Sequence, residues 1–294
     1  MNFEMQLEDN VFSLYKVLVR GTYVHSPYKY FQIFDNKKRS IFKAEVKDRI
    51  IHQIIYDYLI SLFEKDFISD SYASRKNKGQ YKAVDTFRYF TKLASCDSKK
   101  CFVLKCDVKK YFDNIDHNIL LDLISAKITD SNILIIIKSI IYSYNSESGR
   151  NKGVPLGNIT SQIFANIYLN VLDYYTKEEL GCRYYVRYND DIVVMADSEE
   201  KLIKIRNSIT IFAKDDLLLE IPLAKTSIRK ITWGVDFLGF TILPKILLLR
   251  NKTKNKIYNN ISQINANSYF GILKHCNSYN LTRKLLSMEK IRRI

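Results

Sequence analysis

The chain has 294 residues, 47% hydrophobic and 26% charged, a globular composition that excludes a disordered or fibrous polymer. Lys and Arg number 46 against 31 Asp and Glu, a net charge of +15, so a polyanionic partner, most simply nucleic acid, is expected. No apolar run is long enough to span a bilayer, the first residues lack a signal-peptide pattern, and five cysteines, an odd number, fit reduced thiols in a cytoplasmic protein.

Apolar spacing predicts a helix over 1–20, with Leu7, Val11, Leu14 and Leu18 on one face and Gly21 closing it. Tyr30 to Phe34 and Arg39 to Ala44 read as a hairpin around the turn Asp35-Asn36-Lys37-Lys38. A helix over 46–65 carries Ile50, Ile54, Ile55, Tyr58 and Leu62 on its apolar side. The basic loop Ser74-Arg75-Lys76-Asn77-Lys78-Gly79 leads into a helix over 80–95. Phe102 to Val108 is a buried strand, followed by helices near 117–126 and 130–144, a polar loop over 146–158 and a helix from about 159 to 178. Tyr184 to Tyr188 and Ile192 to Ala196 form a second hairpin. A helix over 198–214, strands near 217–229 and 235–243, and a basic helical tail over 261–294 ending in Arg292-Arg293 complete the chain. Strand–helix–hairpin–helix–strand is the α+β pattern of a split βαβ antiparallel sheet.

Asp190 and Asp191 fall at the tip of the second hairpin. Adjacent carboxylates in a partly apolar setting are unfavourable unless a cation neutralises them, and aspartate oxygens suit Mg²⁺ or Mn²⁺. Asp107 ends a buried strand, so a neighbouring hairpin can bring its two carboxylates to this third one, enough for two metals and in-line nucleotidyl transfer. The bland alternative is a helix cap at Asp107 and turn residues at Asp190-Asp191. Cys96, Cys101 and Cys106 lack the pairing of a zinc site. His52 reads as a core residue, His117 as capping or surface, and His275 as a tail residue near nucleic acid.

The chain resembles the reverse transcriptases of bacterial retroelements. Asp107-Val108-Lys109-Lys110-Tyr111-Phe112-Asp113-Asn114-Ile115-Asp116 is similar to their first metal motif, and Tyr188-Asn189-Asp190-Asp191 to their second. Gly153-Val154-Pro155-Leu156-Gly157-Asn158-Ile159-Thr160-Ser161-Gln162 is similar to the template and nucleotide motif, Lys225-Thr226 to the lysine motif, and Phe237-Leu238-Gly239-Phe240 to the primer grip. The motifs keep the family order, and the resemblance runs from about residue 20 to 285. Asn189 departs from the pattern. Within the family, Leu156-Gly157 with Ser161-Gln162 is similar to the (Ile/Val/Leu)-Gly-x-x-x-Ser-Gln signature of diversity-generating retroelements, as are Asp70 to Arg75 and Gly271 to Tyr279. That subgroup is associated with error-prone copying opposite template adenine. Most other members carry Gln where Leu156 stands. A glutamine can hydrogen-bond near the incoming sugar and a leucine cannot, and selectivity rests on differences of only about 1–3 kcal/mol.

The resemblance implies an α+β right hand: an N-terminal helix and fingers over 1–100, a palm over 101–243 and a short basic thumb over 244–294, with no endonuclease, RNase H or integrase segment expected after it. It implies Asp107, Val108, Asp190 and Asp191 as metal residues and Lys225 as general acid to the leaving pyrophosphate, or else a surface lysine. Phe112 is the implied steric gate, or else a core aromatic, since Tyr111 and Phe112 cannot both face inward. Arg39 and Lys43 would clamp the triphosphate, or sit as solvated hairpin charges; Leu156, Gly157 and Gln162 would line the nucleotide. Arg75 and Lys78, with Lys76, would meet template or primer phosphates, or form a solvated loop, alongside Ser161, Phe237, Leu238 and Gly239. The implied function is RNA-templated DNA synthesis with Mg²⁺, or Mn²⁺, in a bacterial or phage-encoded system. Its partners would be template RNA, primer and cDNA, dNTPs, a helical-bundle accessory protein and a structured non-coding RNA. Two other readings stand beside it: a defence reverse transcriptase working from a non-coding RNA, and a catalytically silent RNA-binding scaffold.

Overall fold

The computed structural model describes residues 2–35, 37–98 and 100–288. In chain order, α1 (Asn2–Met5) and α2 (Leu7–Val19) precede a hairpin of β1 (Lys29–Asp35) and β2 (Lys37–Lys43), then α3 (Val46–Phe63) and α4 (Gln80–Ser98). Next come β3 (Phe102–Asp107), α5 (Tyr111–Asn114), α6 (His117–Ser125), α7 (Ser131–Tyr142), α8 (Ile159–Tyr174), β4 (Tyr184–Tyr188), β5 (Asp191–Ala196), α9 (Glu199–Asp215) and β6 (Ser227–Lys230). A three-stranded unit, β7 (Val235–Phe237), β8 (Phe240–Ile242) and β9 (Leu247–Leu249), leads to α10 (Asn251–Asn260), α11 (Ala266–Leu273) and α12 (Tyr279–Leu286). Asn36 of the expected turn and the terminal Arg292-Arg293 lie outside the described residues.

The central sheet runs β4-β5-β3-β6, antiparallel throughout, the order of a split βαβ fold. Its two faces bury different apolar layers, as strand alternation requires. Leu104, Cys106, Ile192, Val194 and Tyr185 pack with α3, α6, α8 and α9. Val103, Val193, Met195, Tyr184 and Val186 pack with α4, the three-stranded unit and the C-terminal helices. Among the described residues no helix is long and apolar enough to cross a membrane.

Several expected elements come out differently. The N-terminal helix breaks at Gln6, and of its expected apolar face Leu14 and Leu18 meet the core while Leu7 and Val11 stay exposed. The buried face of α3 is Asp48, Ile51, His52, Ile55, Leu59 and Phe63, with Ile54 exposed, because two polar residues find buried partners there. The expected strand 217–229 is reduced to β6: Leu218 takes a positive φ of 50° and Pro222 cannot donate to a ladder. The expected strand 235–243 is a hairpin, turning at Leu238 and Gly239, both with positive φ. β9 and α10 have no counterpart in the expectation. His117 is fully buried rather than at the surface; its Nε2 lies 2.7 Å from the Gly153 carbonyl, and Asp116 provides the helix cap by accepting from the Asn118 and Ile119 amides.

A polar seam joins α3 to α8 and to the segment before β1. His52 Nδ1 lies 2.5 Å from Thr160 Oγ1, His52 Nε2 lies 2.9 Å from His25 Nε2, and Tyr23 donates to Asp48 Oδ1 at 2.8 Å. Burial, and next the neighbouring His25, push the His52 imidazole down to about 4 from its ordinary 6.5. The folded state therefore keeps His52 neutral in a range where the unfolded chain binds a proton. Stability attributable to it is full above about 6.5 and is lost as pH falls towards about 4, a cost of roughly 3 kcal/mol. Urea denaturation at pH 7 and pH 4.5 is expected to show this loss in the native protein and a flatter dependence in His52→Asn; equal pH slopes would refute the assignment.

Candidate active site

The pairing of β3 with β5 sets Asp107 directly opposite Asp191. Alternation then places Val103, Lys105 and Asp107 on one face with Asp191, Val193 and Met195. Asp190 occupies the β4–β5 turn, where its carbonyl accepts from the Val108 amide at 3.4 Å. The preceding Asn189 has φ 50°, a left-handed conformation that Asn tolerates better than other non-glycine residues, so the family departure at this position suits the turn. The three carboxylates predicted from sequence are thus brought to one end of the sheet.

Two lysines share that end. Lys225, on a 3₁₀ turn before β6, places Nζ 3.0 Å from Asp107 Oδ1. Lys105 places Nζ 3.1 Å from Asp191 Oδ1. Burial first, then the charges of Asp107 and Asp191, push the Asp190 carboxyl up to about 6. Among the described residues no group of three or more His, Cys, Asp or Glu side chains is arranged to hold a metal ion as it stands. The donor set is nevertheless all oxygen, it concentrates negative charge, and its present counter-charges are the ammonium groups of Lys105 and Lys225, a chemistry that fits a hard divalent cation.

Behind the carboxylates lies a buried ion pair that the sequence reading missed. Arg187 of β4 is 1% exposed; its Nε and Nη2 each donate to Asp173 of α8 at 2.7 Å. Its Nη1 donates to Asn166 Oδ1 at 3.2 Å and to the Asn189 carbonyl in the carboxylate turn at 3.3 Å. Tyr185 adds a hydrogen bond to Asp173. The available signal was an arginine inside the otherwise apolar Tyr184-Tyr185-Val186-Arg187-Tyr188, which needs a buried acid. The main chain of Arg187 also pairs with Asp70 and Tyr72, so the segment before the basic loop covers the open edge of β4.

The loop before α8 is fastened to β2. The Phe42 amide donates to the Leu156 carbonyl at 3.0 Å, and Asn158 both donates to the Phe42 carbonyl and accepts from the Ala44 amide. Gly157 has φ 113°, and a Cβ there would lie 2.8 Å from Ile41 Cγ2, so the close approach needs glycine. Arg39 and Lys43 share the β2 face of Ile41 and so flank this contact, both exposed. Leu156 is half-buried and Gln162 exposed. Tyr111 turns inward, donating to the Ala165 carbonyl, which leaves Phe112 partly exposed beside it.

Other expected site residues are engaged elsewhere. Ser161 is buried and donates to the Pro155 carbonyl at 2.6 Å, so it shapes the loop from within rather than meeting template directly. The Arg75 guanidinium is committed to Glu64, Ser71 and the Ile68 carbonyl, because its loop folds back on the 3₁₀ turn after α3, and is not free to clamp a phosphate. Lys78 donates to the Ser69 carbonyl over the Tyr72 ring, partly exposed. Phe237 is buried against Phe87, while Leu238 and Gly239 form a half-buried turn, held by Gln80 donating to the Leu238 carbonyl. His275 stacks on Tyr81 with ring centroids 3.6 Å apart.

A family model described as reverse transcriptase (RNA-dependent DNA polymerase) matches residues 34–242. The chain is 23% identical to protein YkfC of Escherichia coli K12 over 271 residues, covering 78% of this chain and 70% of YkfC. It is 29% identical to the group II intron-encoded protein LtrA of Lactococcus lactis over 173 residues, covering 56% of this chain and 28% of LtrA. Apo telomerase from Candida tropicalis, truncated from its C-terminal domain, superposes with a TM-score of 0.59 at 16% identity, over 82% of this chain and 60% of that one. Telomerase from Candida albicans in complex with a TWJ fragment of telomeric RNA gives 0.57 at 15% identity, over 78% and 48%. At these identities the telomerase likeness speaks for the fold alone.

Removing one partner of the Arg187–Asp173 pair leaves the other charge buried and unpaired. Arg187→Met is expected to cost about 3–5 kcal/mol in denaturant unfolding, and the double variant Arg187→Met, Asp173→Leu less than the sum of the two single changes. Additive losses would show that the two side chains are not coupled.

Proposed function

The chain belongs to the reverse transcriptase (RNA-dependent DNA polymerase) family, and from that premise we propose that it synthesises DNA on an RNA template. The observation that carries this reading is Asp107 set opposite Asp191 with Asp190 in the adjoining turn and Lys225 against Asp107. Reverse transcriptases work with divalent metal ions. Asp107, Asp190 and Asp191, with the carbonyl of Val108, whose side chain is buried, would hold Mg²⁺ or Mn²⁺. When bound, such ions activate a primer 3′-hydroxyl and neutralise triphosphate charge.

The remaining roles fall to the chain's own groups. Lys225 holds its Nζ 3.0 Å from Asp107 Oδ1, where it would act as general acid to the leaving pyrophosphate. Arg39 and Lys43 would grip the triphosphate from β2. The partly exposed Phe112 ring would stand against a ribose 2′-hydroxyl and so select deoxynucleotides. Leu156, Gly157 and Gln162 would line the nucleotide, the Leu238-Gly239 turn would support the primer end, and Lys76 and Lys78 would meet phosphates of template RNA. The net charge of +15 is consistent with RNA and cDNA as ligands.

For the biological setting we infer a diversity-generating retroelement. The support is Leu156, an apolar side chain at a nucleotide-lining position where a glutamine would add a directional contact. This setting brings a helical-bundle accessory protein and a structured non-coding RNA as partners in the cytoplasm of a bacterium.

Primer extension on an RNA template with Mg²⁺ tests both levels. Asp190→Ala or EDTA is expected to lower dNTP incorporation by roughly a thousandfold or more, about 4 kcal/mol of barrier. No metal-dependent incorporation by the native chain would sink the polymerase assignment in favour of an RNA-binding scaffold, and incorporation that survives Asp190→Ala would sink the metal role of Asp190. Sequenced cDNA is expected to carry errors concentrated opposite adenine, and Leu156→Gln to reduce them by roughly tenfold. Accurate cDNA from the native chain would instead favour a defence reverse transcriptase.

A further inference from the structure

Lys105 lies beside the carboxylates, no motif assigns it a task, and three contacts fix its position. Its ammonium lies 3.1 Å from Asp191 Oδ1, 3.3 Å from the Asp236 carbonyl and 5.9 Å from the centre of the Phe237 ring. The register explains the reach: Lys105 pairs with Val193, one step along the same face from the Asp107–Asp191 pair, so the Asp191 carboxylate is its diagonal neighbour. Its stem lies where the apolar layer of Val193 and Phe237 gives way to the charged end of the sheet. The Asp236 side chain is occupied by Arg250 at 2.7 Å and Thr241 at 2.7 Å, which leaves its carbonyl to Lys105. The ammonium therefore bridges Asp191 to β7, the strand that leads into the turn of Leu238 and Gly239.

We propose that Lys105 is a positioning residue that serves as the resident counter-charge of Asp191, weakening the grip of the carboxylates on a divalent ion while fixing Asp191 against strand β7. The proposal rests on the reading of Asp107, Asp190 and Asp191 as metal-holding residues. An ammonium within ion-pair distance opposes a cation brought to the same oxygen. The same contact restrains a carboxylate that would otherwise rotate freely on its strand. The two effects have opposite signatures, so they separate in one variant: removing the charge favours ion binding and harms turnover.

The experiment titrates Mn²⁺ into the full chain, reading free ion by electron paramagnetic resonance without nucleotide or template, and separately measures kcat and KM for dNTP. Lys105→Met keeps the stem over Phe237 and removes the charge. It is expected to bind Mn²⁺ on the order of tenfold more tightly and to lose about ten- to a hundredfold in kcat with little change in KM. Lys105→Gln, which keeps a donor for the Asp236 carbonyl, is expected to match Lys105→Met in Mn²⁺ affinity, and Lys105→Arg to return it to the native value. Unchanged or weaker Mn²⁺ binding in both uncharged variants would overturn the proposal. Asp190→Ala in the same titration keeps the two readings apart. If it leaves Mn²⁺ binding intact, the metal assignment of the carboxylates fails, and this proposal with it. If it abolishes binding while Lys105→Met behaves as the native chain, only the role of Lys105 fails.

Discussion

The arrangement of the site depends on one buried ion pair. Arg187 and Asp173 are 1% and 0% exposed, and burial alone would lower the pKa of the guanidinium; Asp173 outweighs that and holds the pKa of Arg187 above its usual value. Desolvating two charges costs several kcal/mol per ion, so the pair holds only because both its hydrogen-bonding edges are filled. Asn166, Tyr185 and the Asn189 carbonyl fill them. These partners belong to α8, β4 and the carboxylate turn, and the main chain of the same arginine holds residues 70 to 72. A buried pair is weak evidence for net stability and better evidence for specificity. Here it ties the register of the hairpin to the helix behind it. A slip of one residue would send Asp191 to the opposite face, and Arg187 would then lose Asp173.

With the register fixed, the sheet separates its functions by face. The side toward α8 takes the ion pair and a continuous apolar layer, so the backbone behind the carboxylates is enclosed by packed side chains. The other side begins apolar at Val103, Val193 and Met195 and becomes charged at Lys105, Asp107 and Asp191. Carboxylates at such a boundary are only partly solvated, which is why Asp190 rises to about 6. Lys105 and Lys225 offset the charge of Asp191 and Asp107 without quenching the cluster. An all-carboxylate end would repel itself, and an all-ion-paired end would have no affinity left for a divalent ion.

What the sequence revealed follows from what local patterns can encode. The strand ending at Asp107, the hairpin bearing Asp190-Asp191 and the order of the central elements were legible, because alternation and turn chemistry act over a few residues. The polar interior was not. Periodicity placed Ile54 on the buried side of α3 because it counts apolar residues, whereas His52 and Asp48 are inside, satisfied by Thr160 and Tyr23 from remote segments. Arg75 and Ser161 read as nucleic-acid contacts by composition and motif, and their commitments to Glu64 and Pro155 depend on how their loops fold back. Lys105 was hidden for a similar reason: its partners Asp191 and Asp236 meet it only after three strands are assembled.

The loop before α8 shows how a position in such a site can vary without disturbing the fold. It is held to β2 through the Leu156 carbonyl, the Asn158 amide and the missing side chain of Gly157, none of which involves the Leu156 side chain. The backbone path at residue 156 is therefore set by its neighbours. A half-buried side chain on a path fixed in this way can change between apolar and hydrogen-bonding types at less cost than a core residue, since surface substitutions lie within about 0.5 kcal/mol and most point changes cost about 0.5–3 kcal/mol. Residue 156 can thus change its side chain while the carboxylate turn, held from behind by Arg187, stays where it is.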